Sequence, residues 1–77
     1  MLSKTNEEIQ AIFRNRFMKA YAKSDLNSRE LAQLVRMAQP NVSHYKDGYS
    51  VPGLVHLTRI ACALEVSVDY LVGLADE

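Results

Sequence analysis

Cysteine and long apolar runs are the two features that this 77-residue chain most clearly lacks. Its single cysteine, Cys62, excludes an internal disulfide bond and a structural zinc site built from paired cysteines. The longest purely apolar run, residues 60–64, has five residues, whereas a membrane-spanning helix needs about 20. The sequence does not begin with a basic segment followed by an apolar one, which is the pattern of a secretory signal. These absences favour a protein of the reducing cytoplasm.

Net charge is also lacking, because nine lysines and arginines balance nine aspartates and glutamates. A neutral chain argues against a simple basic binder of nucleic acid. The charges are nevertheless unevenly distributed. Residues 14–46 carry seven basic and two acidic side chains, a net charge of +5, whereas residues 47–77 carry one basic and five acidic side chains, a net charge of −4. We therefore expect one basic face for an anionic partner and an acidic segment that is turned away from it.

Length and composition predict a single globular domain over residues 1–77. Hydrophobic residues make up 48% of the chain and charged residues 23%, which is far from the composition of disordered segments. A domain of this size buries only about 60% of the surface that its unfolded chain exposes. We therefore expect a second copy of the chain to cover part of the remaining surface.

Apolar residues recur at spacings of three and four, and no long segment alternates with period two, so the sequence predicts an all-α domain of five helices. The first helix begins at residue 5 or 6, where Thr5 and Glu8 have the spacing of a capping box, and it runs to about residue 23. The second helix begins at residue 27 or 28 and is barely two turns long. Its predicted inward side chains are Leu31, Leu34 and Val35.

Two prolines mark the starts of the third and fourth predicted helices. Pro40 lies in the first turn of the third helix, which Gly48 ends as a left-handed cap. Pro52 is expected to start the fourth helix in the same way, and Ser67 is expected to cap the fifth. The side chains predicted to be buried in the fifth helix are Val68, Leu71 and Val72.

The second and third predicted helices meet the physical requirements of a helix-turn-helix. Both are short, three or four residues join them, and amide side chains lie on the exposed face where the third helix begins. In such a unit the first helix lies across the DNA phosphates and the second fits the major groove, whose width admits one helix.

A longer series of residues, spread in order over residues 26–75, carries a family resemblance. The series is Ser28-Arg29-Glu30-Leu31-Ala32, Gln39, Val42-Ser43, Gly48, Pro52, Leu57, Ile60-Ala61, Ala63-Leu64 and Val66-Ser67-Val68-Asp69-Tyr70-Leu71. In combination it resembles the phage lambda repressor and Cro-like helix-turn-helix family of XRE-type transcriptional regulators. The resemblance implies a lambda-repressor-like core over residues 26–75, preceded by a first helix with an N-terminal extension in residues 1–25.

Members of that family are typically sequence-specific transcriptional regulators that bind palindromic operators as homodimers. The resemblance therefore implies double-stranded DNA and a second copy of the chain as partners, with no enzyme activity, metal or cofactor. The residues implied to read bases are Gln39, Pro40, Asn41 and His44, of which Gln39 holds the position of an adenine-reading glutamine. Those implied to contact phosphates are Ser28, Arg29, Ser43, Lys46, Tyr49, Ser50 and Gly53. The implied dimer contacts are Tyr70 and Leu74.

Four positions depart from the family pattern. Arg36 replaces the glycine that ends the second helix, and Ala38 replaces the polar cap of the third, changes that cost about 1 kcal/mol each. Pro40 replaces a common contact residue. Lys46 replaces a glutamate whose arginine partner is also missing, since Tyr21 stands at that position. Lys46 is therefore expected to be free to meet DNA.

Other interpretations stay open at this point. The polar residues of the third helix and the basic residues of the first also fit an ordinary solvated surface. A metal site at His44 is disfavoured, because His56 is its only imidazole companion. The net negative charge of residues 47–77 also fits a protein-interaction module, such as an antitoxin whose acidic end neutralises a basic toxin. The zero net charge predicts weak non-specific attraction to DNA.

Overall fold

Five α-helices make up most of residues 4–77, which is the part of the chain that the computed structural model describes. They are α1 (Asn6–Lys23), α2 (Ser28–Val35), α3 (Gln39–Asp47), α4 (Leu54–Leu64) and α5 (Val68–Val72). No strand occurs among these residues, so the predicted all-α fold of five helices is confirmed. Residues 1–3 of the predicted N-terminal extension lie outside the described part.

Side-chain caps fix where the first two helices begin. The Thr5 hydroxyl accepts the backbone N–H of Glu8 at 3.2 Å, and the Glu8 carboxylate accepts the N–H of Thr5 at 3.0 Å. The hydrogen bond from the Thr5 backbone holds the pKa of Glu8 below its ordinary value. Asn27 and Glu30 form the same reciprocal pair at the start of α2, at 2.8 and 3.0 Å. The predicted capping box of α1 is therefore confirmed, and α2 has a second one.

An aromatic cluster lies at the centre of the core. Phe13 and Phe17 of α1 stack with ring centroids 5.5 Å apart, and Tyr45 of α3 meets both rings edge-on at 6.2 Å. The longest helix, α1, packs on α3 and α5, whereas α2 packs on α3 and α4. The largest fully buried side chains are Phe17, Leu31, Val35, Val42, Ile60 and Leu71. Because Val42 and Tyr45 face inward, the opposite face of α3 is left to solvent.

Arg16 of α1 fastens the end of α5 to the rest of the fold. Its guanidinium donates to the carbonyl oxygens of Tyr70 at 3.0 Å and Ala75 at 2.7 Å, and it lies 4.5 Å from the centre of the Tyr70 ring. Asp76 is 3.9 Å away with a fully exposed side chain, so this ion pair adds little. The Arg16 guanidinium is therefore engaged in contacts within the chain, at the end of α5.

The prediction that Leu34 points inward is wrong, because its side chain is 57% exposed. Leu31 and Val35, one turn apart, are fully buried, and the residue that completes their buried stripe is Ala32. Leu34 lies on the opposite edge of that stripe, where it lines a surface groove together with residues of α4.

The predicted start of α4 at Pro52 is also wrong. The helix begins at Leu54 with Gly53 as its N-cap, and the Gly53 carbonyl accepts the first helical N–H, that of Leu57, at 2.8 Å. Pro52 therefore precedes the cap. In α5 only Leu71 is fully buried, whereas Val68 and Val72, also predicted to be buried, are half-buried because a five-residue helix turns one side chain into the core.

Candidate nucleic-acid interface

A left-handed residue sets the turn between α2 and α3. Arg36 has φ 63° and ψ 52°, a backbone conformation that favours glycine. Beyond it, the N–H of Met37 donates to the Ala32 carbonyl at 3.0 Å, and the half-buried Met37 side chain packs against the core. The two helices are thus joined in a fixed orientation, and α3 begins at Gln39 with no side-chain cap from Ala38.

The outer face of α3 presents a row of neighbouring side chains to solvent. Gln39, Pro40, Ser43 and His44 line one shallow groove of about 380 Å³. The prediction that Gln39 and His44 share a face is therefore confirmed. Asn41 was expected on the same face, but it does not line this groove; at 3.6 residues per turn it lies about 160° from Gln39 and about 60° from His44. It is half-buried on the flank of α3.

Ser43 also lies on this face, although the family resemblance implies a different role for it. The family resemblance gave it a phosphate contact, yet it lies only about 40° around α3 from Gln39, in the middle of the exposed face. The helical angle could have identified it from sequence alone. The face therefore carries an amide, a hydroxyl and an imidazole side by side, all groups that form hydrogen bonds with base edges.

Two rings lie at the C-terminal end of this face. His44 and Tyr49 have ring centroids 5.0 Å apart, and Tyr49 is 79% exposed. The backbone N–H of Tyr49 donates to the His44 carbonyl at 2.8 Å, and that of Ser50 reaches the same carbonyl at 3.4 Å. These two backbone donors were expected to face phosphates, but they are used within the chain. The Tyr49 and Ser50 hydroxyls remain as the polar groups for an outside partner.

The first turn of α4 has no side-chain cap. Gly53 stands at the N-cap, and no side chain bonds to the first-turn amides. A Cβ atom placed on Gly53 would meet nothing within 4 Å, so the space beside its backbone is open. Free N–H groups and the helix dipole favour an anion at such an end. Gly53 thus has the open surroundings that its implied phosphate contact requires.

Tyr21, Ser28 and Lys46, which we call the Ser28 cluster, meet where α1, α2 and α3 come together. The Lys46 ammonium donates to the Ser28 hydroxyl at 3.1 Å and lies 4.6 Å from the centre of the Tyr21 ring. The Tyr21 hydroxyl is 3.3 Å from the Ser28 hydroxyl. The expectation of a free Lys46 is therefore wrong. An ammonium carries three donors, however, so two remain for an anion at the start of α2.

Most carboxylates of the acidic segment lie away from α2 and α3. Glu65, Asp76 and Glu77 line a surface groove of about 720 Å³ together with basic residues of α1. No residue of α2 or α3 lines that groove. Asp47 is the exception, because it is exposed at the end of α3. The C-terminal carboxylates thus lie away from α2 and α3, but they are not separated from the basic residues of α1, which share their groove.

Tyr70 and Leu74, the two residues implied in dimer contacts, have different surroundings. Tyr70 is half-buried and lies under the Arg16 guanidinium, so its ring is already packed within the chain. Leu74 is 78% exposed. The one cysteine, Cys62, is exposed on α4.

Metal-ligating residues do not cluster anywhere in residues 4–77, where no group of three or more His, Cys, Asp or Glu side chains is placed to hold an ion. Over that same range, none of the helices combines the length and the apolar character needed to cross a membrane.

A protein-family match covers most of the chain. The family model described as helix-turn-helix matches residues 17–71, from the middle of α1 to α5. This segment contains α2, the turn at Arg36, α3 and the whole of α4. No curated protein and no solved structure gives a significant match.

Proposed function

This chain belongs to the lambda repressor/Cro-like helix-turn-helix family of DNA-binding transcriptional regulators, and we propose that it binds a palindromic operator in a sequence-specific manner as a homodimer. In this proposal α3 enters the major groove and α2 lies across the phosphates. The observation that carries it is the outer face of α3, where Gln39, Ser43 and His44 lie along one groove on the surface.

Gln39 is the proposed adenine reader. It is exposed in the first turn of α3, and the N-terminal residues of a recognition helix are the ones that reach base edges. A glutamine amide pairs with N6 and N7 of adenine, which is worth about 1–3 kcal/mol of discrimination. Ser43 and His44, one turn further on, are placed to contact the next base pairs. Pro40 offers an apolar contact to a thymine methyl. Asn41 is proposed to lie at the edge of the major groove.

Phosphate contacts are proposed on both sides of α3. On one side, Ser28 and Lys46 of the Ser28 cluster and the exposed Arg29 offer a hydroxyl, an ammonium and a guanidinium near the start of α2. On the other side, the hydroxyls of Tyr49 and Ser50 and the open backbone at Gly53 follow α3. Such contacts position a protein on the duplex without reading its sequence.

Selection from a random duplex library tests this function. We expect an enriched palindrome whose two halves lie about one helical turn, or 34 Å, apart. Gln39→Ala is expected to weaken binding to that palindrome by about 5-fold to 150-fold, the equivalent of about 1–3 kcal/mol, and to relax the preference at one position of each half-site. Gln10→Ala, which removes an exposed amide from α1, is the matched control and should bind like the unmodified chain. Selection that enriches no motif, or a Gln39→Ala chain with unchanged preference, contradicts the proposal.

A protein-interaction module such as an antitoxin is a second candidate, favoured by the exposed carboxylates at the C-terminal end of the described residues. Asp76 has a fully exposed side chain and lines the large surface groove beside Glu77. A basic partner protein bound there in a fixed stoichiometry, and released by Asp76→Asn with Glu77→Gln while operator binding persists, would establish this role. The two functions are compatible on one chain.

A further inference from the structure

An exposed apolar surface follows directly after α3. Val51, Leu54 and Val55 are 44%, 77% and 59% exposed, and we call these three the apolar patch. The patch lies within residues 48–58, which contain no aspartate, glutamate, lysine or arginine. Large apolar side chains grouped in this way favour burial against a partner.

The apolar surface continues along α4. Thr58 follows Leu54 by one turn, and its hydroxyl donates to the Leu54 carbonyl at 2.8 Å, so its polar group is satisfied within the helix. Leu34 of α2 is 57% exposed and lines a groove of about 320 Å³ with Thr58 and Cys62. Arg59 is the one charged residue that lines this groove.

The absence of charged side chains from the patch indicates which kind of partner can cover it. Phosphates are proposed to meet the backbone N–H groups at Gly53, whereas the three side chains of the patch offer them neither charge nor hydrogen-bond donors. An acidic or basic partner protein needs the opposite charge, which is also missing. In a two-fold contact, by contrast, the same patch lies on both sides of the interface, so a patch of one charge sign would repel itself and an uncharged apolar patch is self-complementary.

The position of the patch relative to α3 agrees with a second copy of the chain. Six residues, 48–53, separate the end of α3 from the start of α4, and hydrogen bonds from Gly48 and Tyr49 to the last turn of α3 hold the connection in place. A contact made through the patch would therefore fix one α3 relative to the other. That arrangement is what two half-sites one helical turn apart require.

We infer that the apolar patch of Val51, Leu54 and Val55 is the contact between two copies of this chain. The inference rests on the proposed function for the arrangement of the two copies on DNA. It places the dimer contact at the start of α4 instead of at the last helix. Because these side chains cover less than the roughly 800 Å² per partner of a standard interface, the dimer is expected to be weak without DNA.

Opposite charges at Val55 provide the test. Val55→Lys and Val55→Glu each place like charges across the two-fold axis, so each chain alone should dimerise at least about tenfold more weakly in sedimentation equilibrium without DNA. An equimolar mixture of the two should recover dimerisation to within about threefold of the unmodified chain, because the charges then attract. Met18→Lys and Met18→Glu are the matched controls, since Met18 is 39% exposed on α1, and neither should alter dimerisation alone or mixed. Thermal melting confirms that all four chains fold.

The alternative outcomes are distinct. If Val55→Lys binds DNA more tightly and Val55→Glu more weakly while dimerisation is unaffected, the patch contacts DNA and the inference is overturned. If Leu74→Lys and Leu74→Glu each weaken dimerisation alone and restore it when mixed, and the Val55 variants do not, the contact lies at the last helix, which also overturns the inference. A chain that stays monomeric up to about 1 mM, yet selects an operator, overturns the inference and leaves the proposed function intact. A chain that dimerises through the patch but selects no operator supports the inference and contradicts the proposed function.

Discussion

Replacing Lys46 by glutamine removes a charge from the Ser28 cluster while keeping a polar side chain that can donate hydrogen bonds. In the structure the Lys46 ammonium donates to the Ser28 hydroxyl at 3.1 Å and lies over the Tyr21 ring. This arrangement holds the cation beside the first turn of α2 instead of leaving it to move in solvent. If the ammonium meets one DNA phosphate, Lys46→Gln should remove one phosphate contact and leave base reading by α3 unchanged.

The size of the effect follows from the release of counterions. Each neutralised phosphate contributes about −0.9 to the slope of log affinity against log salt. Relative to 1 M salt, at which the contribution of one contact vanishes, loss of that contact weakens binding by about 15-fold at 0.05 M salt, by about 8-fold at 0.1 M and by about 4-fold at 0.2 M. The loss should be equal for the operator and for unrelated duplexes, because a phosphate carries no sequence information.

Fluorescence anisotropy titrations at these three salt concentrations measure the effect on both kinds of duplex. Lys19→Gln is the matched control, because Lys19 lies on α1 and lines the groove shared with the acidic C-terminal residues. It makes the same change of charge at a distance from α2 and α3. Urea unfolding run in parallel separates the loss of the contact between Lys46 and the Tyr21 ring, worth about 0.5–1 kcal/mol, from the loss of binding.

Three results would refute this reasoning. A ratio of affinities that does not change with salt would mean that the Lys46 ammonium releases no counterion and acts only within the fold. A loss confined to the operator would mean that Lys46 reads a base or holds α3 in its reading position. Equal losses for Lys46→Gln and Lys19→Gln would show that only the net charge of the chain matters.

Two further predictions concern stability. Arg16→Ala removes two hydrogen bonds to carbonyl oxygens and the contact with the Tyr70 ring, and it should lower the free energy of unfolding in urea by about 2–4 kcal/mol, whereas Asp76→Asn should leave it unchanged. If both changes destabilise equally, the ion pair rather than the carbonyl contacts fastens α5. Arg36→Gly should raise the free energy of unfolding by up to about 1 kcal/mol, because φ at this position is 63°. A decrease would show that the Arg36 side chain makes a stabilising contact.

Features set by neighbouring residues could be predicted from the sequence. The capping box of Thr5 and Glu8 depends on groups three residues apart, and the structure forms it as expected. Gly48 likewise ends α3 in the left-handed conformation, with φ 77°. The positions of α2, α3 and the turn between them follow from such local rules, so the elements of the candidate interface were predicted.

Features set by contacts between distant parts of the chain could not be predicted in the same way. Arg16 and Ala75 are 59 residues apart in sequence, and no periodic pattern indicates that the guanidinium reaches that carbonyl. The partners of Lys46 were missed for a related reason. The absence of both the family's glutamate and its arginine partner suggested a free lysine, but the tyrosine at position 21 supplies an aromatic face that attracts this cation.

The angular positions of Asn41 and Ser43 around α3, by contrast, could be worked out from the sequence. A step of about 100° per residue puts Ser43 about 40° from Gln39 on α3 and puts His44 and Asn41 about 140° and 160° away from it. The family resemblance had assigned roles by position in a motif instead. Because His44 lines the groove with Gln39 and Asn41 does not, the helical angle alone does not decide which side chains reach the same groove.

The charge of +5 over residues 14–46 overstates what this chain offers to DNA. Arg14 donates to the Lys46 carbonyl and Arg16 to the end of α5, so α1 uses these side chains within the fold. On α2, the turn and α3 the basic side chains are Arg29, Arg36 and Lys46. Counterion release depends on the cations that reach phosphates, and about three contacts give a salt slope near −3, against −5 to −9 for proteins with six to ten contacts. Non-specific attraction is then weak, and the hydrogen-bonding face of α3 must supply a larger part of the affinity for an operator than it does in a strongly basic protein.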